Sequence, residues 1–133
     1  MLDYDVKILT AFAMTFDANG EPFNQWLLNN GYPELAALSD AIKGSKLAFQ
    51  WLVKNKYYHF AAFDSILDDS KDARFWLKKY NYQILIYLAD AVRQDINAIN
   101  YFKKNNLDIY IFIAKKIEIY LDSKNFNPHK FNF

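Results

Sequence analysis

Trp51 to Phe75 reads WLVKNKYYHFAAFDSILDDSKDARF, and Trp76 to Asn100 reads WLKKYNYQILIYLADAVRQDINAIN. Laid one over the other, the two stretches agree in chemistry column by column. The agreement extends outward to Trp26–Gln50 (WLLNNGYPELAALSDAIKGSKLAFQ) and Tyr101–Ser123 (YFKKNNLDIYIFIAKKIEIYLDS), so that Trp26, Trp51, Trp76 and Tyr101 recur every 25 residues (51−26, 76−51, 101−76). The second column is Leu27, Leu52, Leu77 and Phe102; the tenth is Leu35, Phe60, Leu85 and Tyr110; a small column holds Ala48, Ala73, Ala98 and Ser123. A unit this short cannot bury its own apolar face, so it must stack on its neighbours.

Within a unit, Leu35, Leu38 and Ile42 are spaced by three and four, as are Ala48, Trp51 and Asn55, which is helical periodicity rather than alternation. The first helix of each unit is expected to open after Ser45, Ser70 or Asp95, all good N-cap residues, and Pro22 falls in the first turn of the leading unit. It closes near Asn30, Asn55 or Asn105, with Gly31 free to adopt the left-handed cap and Pro33 starting the next helix. The second helix ends near Gly44, Asp69 or Gln94. Helices of ~10 residues are marginal alone, so stacking supplies most of their stability.

The predicted architecture is therefore all-α: an α-solenoid of about four 25-residue helix–turn–helix repeats preceded by a half-repeat helix. As one domain it divides into a half-repeat at 4–22, repeats at 23–50, 51–75, 76–100 and 101–123, and a tail at 124–133 whose Phe126, Phe131 and Phe133 are read as a cap over the last helix pair. The stretch Leu38, Ala41, Gly44, Leu47, Leu52, Asn55 resembles the ankyrin pattern: Leu and Ala on a first helix, a Gly-containing turn, then a helix ending in leucine and asparagine. The units depart from that family in being shorter than its ~33 residues and in lacking its Thr-Pro-Leu-His tetrapeptide. Only a short turn such as Asn30-Gly31-Tyr32-Pro33 stands where the ankyrin β-turn finger would be. The resemblance implies a recognition scaffold rather than a catalyst.

Composition narrows the function. The 133 residues include no cysteine, so thiolate metal sites, disulfides and cysteine nucleophiles are excluded. Sixteen basic and 15 acidic residues leave a net charge of +1, which provides no global field for phosphate or anionic membrane and makes nucleic acid an unlikely partner. No apolar run approaches the ~18 residues needed to span a bilayer, and the acidic start MLDYD lacks a signal peptide's basic region; the chain reads as cytoplasmic, without a membrane partner. Three glycines cannot build a phosphate loop or dinucleotide fingerprint, and no cofactor is expected.

Only His59 and His129 could serve histidine chemistry; His59 reads as a solvated or capping residue, and His129 lies in the tail NFNPHKFNF without a partner motif. Asp64, Asp68, Asp69 and Asp72 form the densest carboxylate group, which could support a metal-dependent enzyme but more simply caps and charges a helix end. Lys54 and Lys56, Lys78 and Lys79, and Lys103 and Lys104 fall at the ends of successive first helices and would line one edge of the stack. That rail, with Tyr57, Tyr80 and Tyr82 beside it, suits an acidic partner or, as the alternative, a nucleic-acid backbone. In columns eleven and twelve, Ala36-Ala37 and Ala61-Ala62 give way to Ile86-Tyr87 and Ile111-Phe112, either filling a wider gap or exposing an aromatic patch. The expectation is a non-enzymatic module, monomer or weak dimer, that binds another protein through Tyr57, Tyr80, Tyr82, Tyr87, Lys54, Lys78, Lys79, Lys103 and Lys104.

Overall fold

A computed structural model describes residues 2–125, and these form nine helices and no strand. In chain order they are α1 Val6–Met14, α2 Glu21–Asn29, α3 Pro33–Ile42, α4 Lys46–Lys54, α5 Tyr58–Leu67, α6 Lys71–Lys79, α7 Gln83–Val92, α8 Ile96–Lys104 and α9 Asp108–Asn125. Ser45 and Ser70 cap α4 and α6 by accepting the amides of Ala48 and Ala73 at 3.1 Å each, and Asp95 caps α8 through Asn97 at 2.8 Å.

Each turn out of α2, α4, α6 and α8 contains one residue with positive φ: Gly31 (88°), Lys56 (67°), Asn81 (64°) and Asn106 (56°). The following amide then reaches back to the carbonyl five residues earlier, as in Tyr57 to Leu52 and Tyr82 to Leu77, both at 2.8 Å. This is the Schellman closure, and its repetition gives every even-to-odd helix connection the same geometry. The opposite turns repeat the device at Gly44, Asp69 and Gln94.

The odd-numbered helices form an inner layer and the even-numbered ones an outer layer. Among the described residues α3 packs on α1, α5 on α3, α7 on α5 and α9 on α7, while each outer helix touches only the inner helices that flank it. α9 also packs against α1, so the inner layer closes into a ring of five helices. An end-capped open stack would leave these two faces free. Here they cover one another, with Phe16 5.9 Å from Tyr120 between ring centroids.

The repeat columns supply the interior. Leu35, Phe60, Leu85 and Tyr110 are buried in one layer and Leu38, Phe63, Leu88 and Ile113 in the next, while Leu27, Leu52, Leu77 and Phe102 anchor the outer helices. Each fully buried large side chain contributes ~1.5–3 kcal/mol, enough to make short helices stable only when stacked. Ala13, Ala36, Ala61, Ala89 and Ala114 are buried on the inner helices, where small side chains let the backbones approach.

The fourth unit departs from expectation. Its inner helix runs 18 residues to Asn125, so Lys124 and Asn125, assigned to a capping tail, belong to α9. The physical reason is the turn column: where Gly44-Ser45, Asp69-Ser70 and Gln94-Asp95 stop a helix, this unit has Ile119-Tyr120, which supplies neither a left-handed residue nor an N-cap. The rest of the predicted tail, with Phe126, His129, Phe131 and Phe133, lies outside the described residues.

Candidate interaction surface

Because the hairpins share one geometry, the C-terminal ends of the outer helices and the N-terminal ends of the inner helices lie at one end of the ring. Lys54, Lys56, Lys78, Lys79, Lys103 and Lys104 are all exposed there. Tyr80 is half exposed (51%), rests on Trp76 at 4.7 Å and carries the Lys79 ammonium 5.5 Å from its ring centre. Tyr57 and Tyr82 are half-buried and stack nearly parallel on Trp51 and Trp76, both at 5.8 Å. The Trp column therefore supports the tyrosines from beneath.

Tyr87 does not join them. It lies midway along α7 against Tyr101 of α8 at 4.3 Å and Phe102 at 6.4 Å, inside the α7–α8 hairpin. The bulky columns divide accordingly. Ile86 is buried and Tyr87 packs, whereas Phe112 is 38% exposed beneath Lys116. No continuous aromatic patch arises from them.

Two features of this end differ from the sequence reading or are absent from it: His59, read as solvated or capping, is half-buried and stacked, and the segment ahead of α1 has no role there. His59 stacks on Tyr82 at 4.9 Å with the rings 7° apart and also touches Phe60 at 4.3 Å, bridging consecutive units. Burial lowers its pKa, against a smaller opposing effect of Glu34, so it stands neutral near pH 7. A histidine column isolated at one unit gave no periodic signal. The second feature is the segment ahead of α1: Tyr4 stacks on Phe60 at 6.5 Å, meets Tyr32 edge-on at 6.0 Å and donates its hydroxyl to Glu34 at 2.9 Å. Burial first, then that bond, pushes the Tyr4 hydroxyl far above its ordinary range. The Leu2 amide donates to the Tyr110 hydroxyl at 3.2 Å, so the segment lies across the mouth of the ring.

The aspartate cluster divides: Asp64 and Asp68 face one cleft, while Asp69 turns to Arg93. Asp69 pairs with Arg93, and Asp68 is exposed. Asp64 lies in a cleft of about 450 Å³ shared with Phe49, Gln50 and Lys46. Its carboxyl is pushed up to about 6, chiefly by burial and secondarily by Asp68. Among the described residues no three His, Cys, Asp or Glu side chains come together as metal ligands. None of their helices is long and apolar enough to cross a membrane.

The opposite end of the ring is held by polar contacts. Ser39 donates to Thr15 at 2.8 Å, Lys43 to the Thr15 carbonyl at 2.5 Å, and Gln94 to Glu118 at 2.6 Å. Leu47, Phe75 and Ile96 are exposed on the outer helices but occupy different columns, and isolated apolar side chains of this kind are ordinary on a surface. Comparison with known protein families, with curated proteins and with solved structures finds no match to the chain.

Proposed function

We propose that the chain is a non-enzymatic, ankyrin-like helical-repeat module that binds another protein through the lysine-bearing end of its ring. The reading takes the repeats as α-solenoid units that turn tightly enough for the last to meet the first. What carries it is the arrangement of Tyr57, Tyr80 and Tyr82, propped by tryptophans, among Lys54, Lys78, Lys79, Lys103 and Lys104. Rigid aromatic side chains with few rotamers to lose, set among exposed cations, suit protein recognition. The module is proposed to act in the cytoplasm, as a monomer or weak dimer.

The test is capture of a partner from the native cell on the immobilised chain. Tyr57→Ala, Tyr80→Ala and Tyr82→Ala should each weaken capture while a thermal melt shows the fold retained. Capture that survives all three changes sinks the proposed surface. The row of lysines also supports the second reading, binding along a nucleic-acid backbone, for which retention on DNA or RNA should fall steeply with salt. No retention at low salt disposes of it.

A further inference from the structure

The end of the ring that bears the lysines is the end over which the chain lays its own segment Leu2–Asp5. That segment reads Leu-Asp-Tyr-Asp. Its Tyr4 fills a slot between Tyr32 and Phe60, and its Leu2 amide is held by Tyr110, so it occupies only one side of the mouth. Beside it remains an open cavity of about 420 Å³, lined by Leu2, Asp3, His59, Tyr82, Ile84 and Leu85. A cleft of this size accepts one or two large side chains.

We propose that this cavity, at the lysine-bearing end of the ring, forms a docking site for an acidic peptide segment with an aromatic or leucine anchor, carried by a partner protein. The inference rests on the interaction reading above and gives the partner its chemistry. Three observations select that occupant. The cavity combines apolar walls from Leu2, Ile84 and Leu85 with stacked rings at His59 and Tyr82, which suit a large anchoring side chain. Lys7, Lys54, Lys56, Lys78, Lys79, Lys103 and Lys104 outnumber Asp3, Asp5, Glu34 and Asp108 at this end, seven to four. An acidic chain is therefore attracted over the distance that salt leaves unscreened, ~8–10 Å. Finally, Leu2–Asp5 is itself a peptide of this composition, seated here with its tyrosine half-buried between rings and both aspartates exposed, Asp3 at the edge of the cavity.

A phosphate backbone fits less well. Glu34 and Asp108 stand among the cations and interrupt the run of positive charge that a phosphate track needs.

The experiment measures fluorescence anisotropy of a labelled peptide, Leu-Asp-Tyr-Asp twice over, titrated with the full chain at low salt. A control peptide carries lysine at each aspartate, and a labelled oligothymidylate tests the nucleic-acid outcome. The acidic peptide should bind and the basic one should not. K54Q/K79Q/K104Q, which alters only exposed side chains, should weaken binding about tenfold, since each exposed charge contact accounts for a factor of roughly two or three.

Equal affinity for the two peptides, indifference to the triple substitution, or tighter binding of the oligonucleotide would overturn the inference. Partner capture that still depends on Tyr57, Tyr80 and Tyr82 while the acidic peptide fails to bind rejects this chemistry and leaves the interaction reading standing.

Discussion

Lys116 Nζ lies 2.8 Å from Asp17 Oδ1, tying α9 to the turn after α1 across 99 residues of chain. The pair marks the joint at which the ring closes, but it does not supply most of the joint's strength. Both side chains are partly solvated, and such pairs contribute ~0.2–1 kcal/mol. Beneath them Phe16, 5% exposed, packs against Phe12 at 5.4 Å and Tyr120 at 5.9 Å. Phe16→Ala should cost about 3 kcal/mol and Lys116→Met less than about 1 kcal/mol in urea unfolding. Equal losses from the two variants would place the closure in the ion pair instead.

Gly20 has an ordinary helical φ of −80°, so its role is one of space. A Cβ built there would stand 2.2 Å from the Thr15 carbonyl oxygen and 2.6 Å from its carbon, both backbone atoms. Thr15 cannot retreat, because it is buried and its carbonyl accepts from Lys43. Gly20→Ala should therefore destabilise by about 3 kcal/mol or more, whereas Gly31→Ala, in open space at φ 88°, should cost about 1 kcal/mol. Chemical denaturation of the two variants distinguishes crowding from backbone strain, and a milder effect at Gly20 than at Gly31 would refute the assignment.

The helices were legible because their signals are local. Ser45, Ser70 and Asp95 announce outer helices, and the apolar columns announce buried faces, as observed for Leu52, Leu77 and Phe102. The extended α9 was also written in the chain, in Ile119-Tyr120, but a repeat register draws attention to agreement and away from the one column that breaks. Ring closure was not legible. It rests on the packing of α9 against α1, and nothing at Phe16 or Tyr120 names its partner. The lysines and Tyr57, Tyr80 and Tyr82 could be placed at one end because turns repeat. Tyr87 could not, since whether a mid-helix tyrosine packs or protrudes depends on the width of the gap beside Tyr101.

Lys56 holds the left-handed conformation that Gly31 holds in the preceding unit, with φ 67° against 88°. A side chain with a Cβ is strained there, while asparagine, as at Asn81 and Asn106, tolerates it better. Lys56→Gly should raise stability by about 0.5–1 kcal/mol, the relief of strain exceeding the added freedom of the unfolded chain. The urea midpoint measures this. A loss of stability would mean that the lysine side chain contributes contacts outweighing the strain.

Asp64 occupies a column that is Ser39, Ala89 and Ala114 in the other units, and it alone places a carboxylate there. Its folded pKa of about 6 lies above the ordinary aspartate value of 3.8, so the folded state holds a proton more tightly than the unfolded one. Its contribution is therefore favourable at low pH and is lost as pH rises from about 4 through about 6. Above that window the buried charge costs stability, by roughly 1–2 kcal/mol once its partial solvation is allowed for. Asp64→Ala should accordingly raise stability at pH 7.5, with the advantage shrinking as the pH falls to 4. Urea unfolding of both proteins at several pH values traces the difference; an advantage that does not change with pH would show that helix propensity, and not the carboxylate's charge, is responsible.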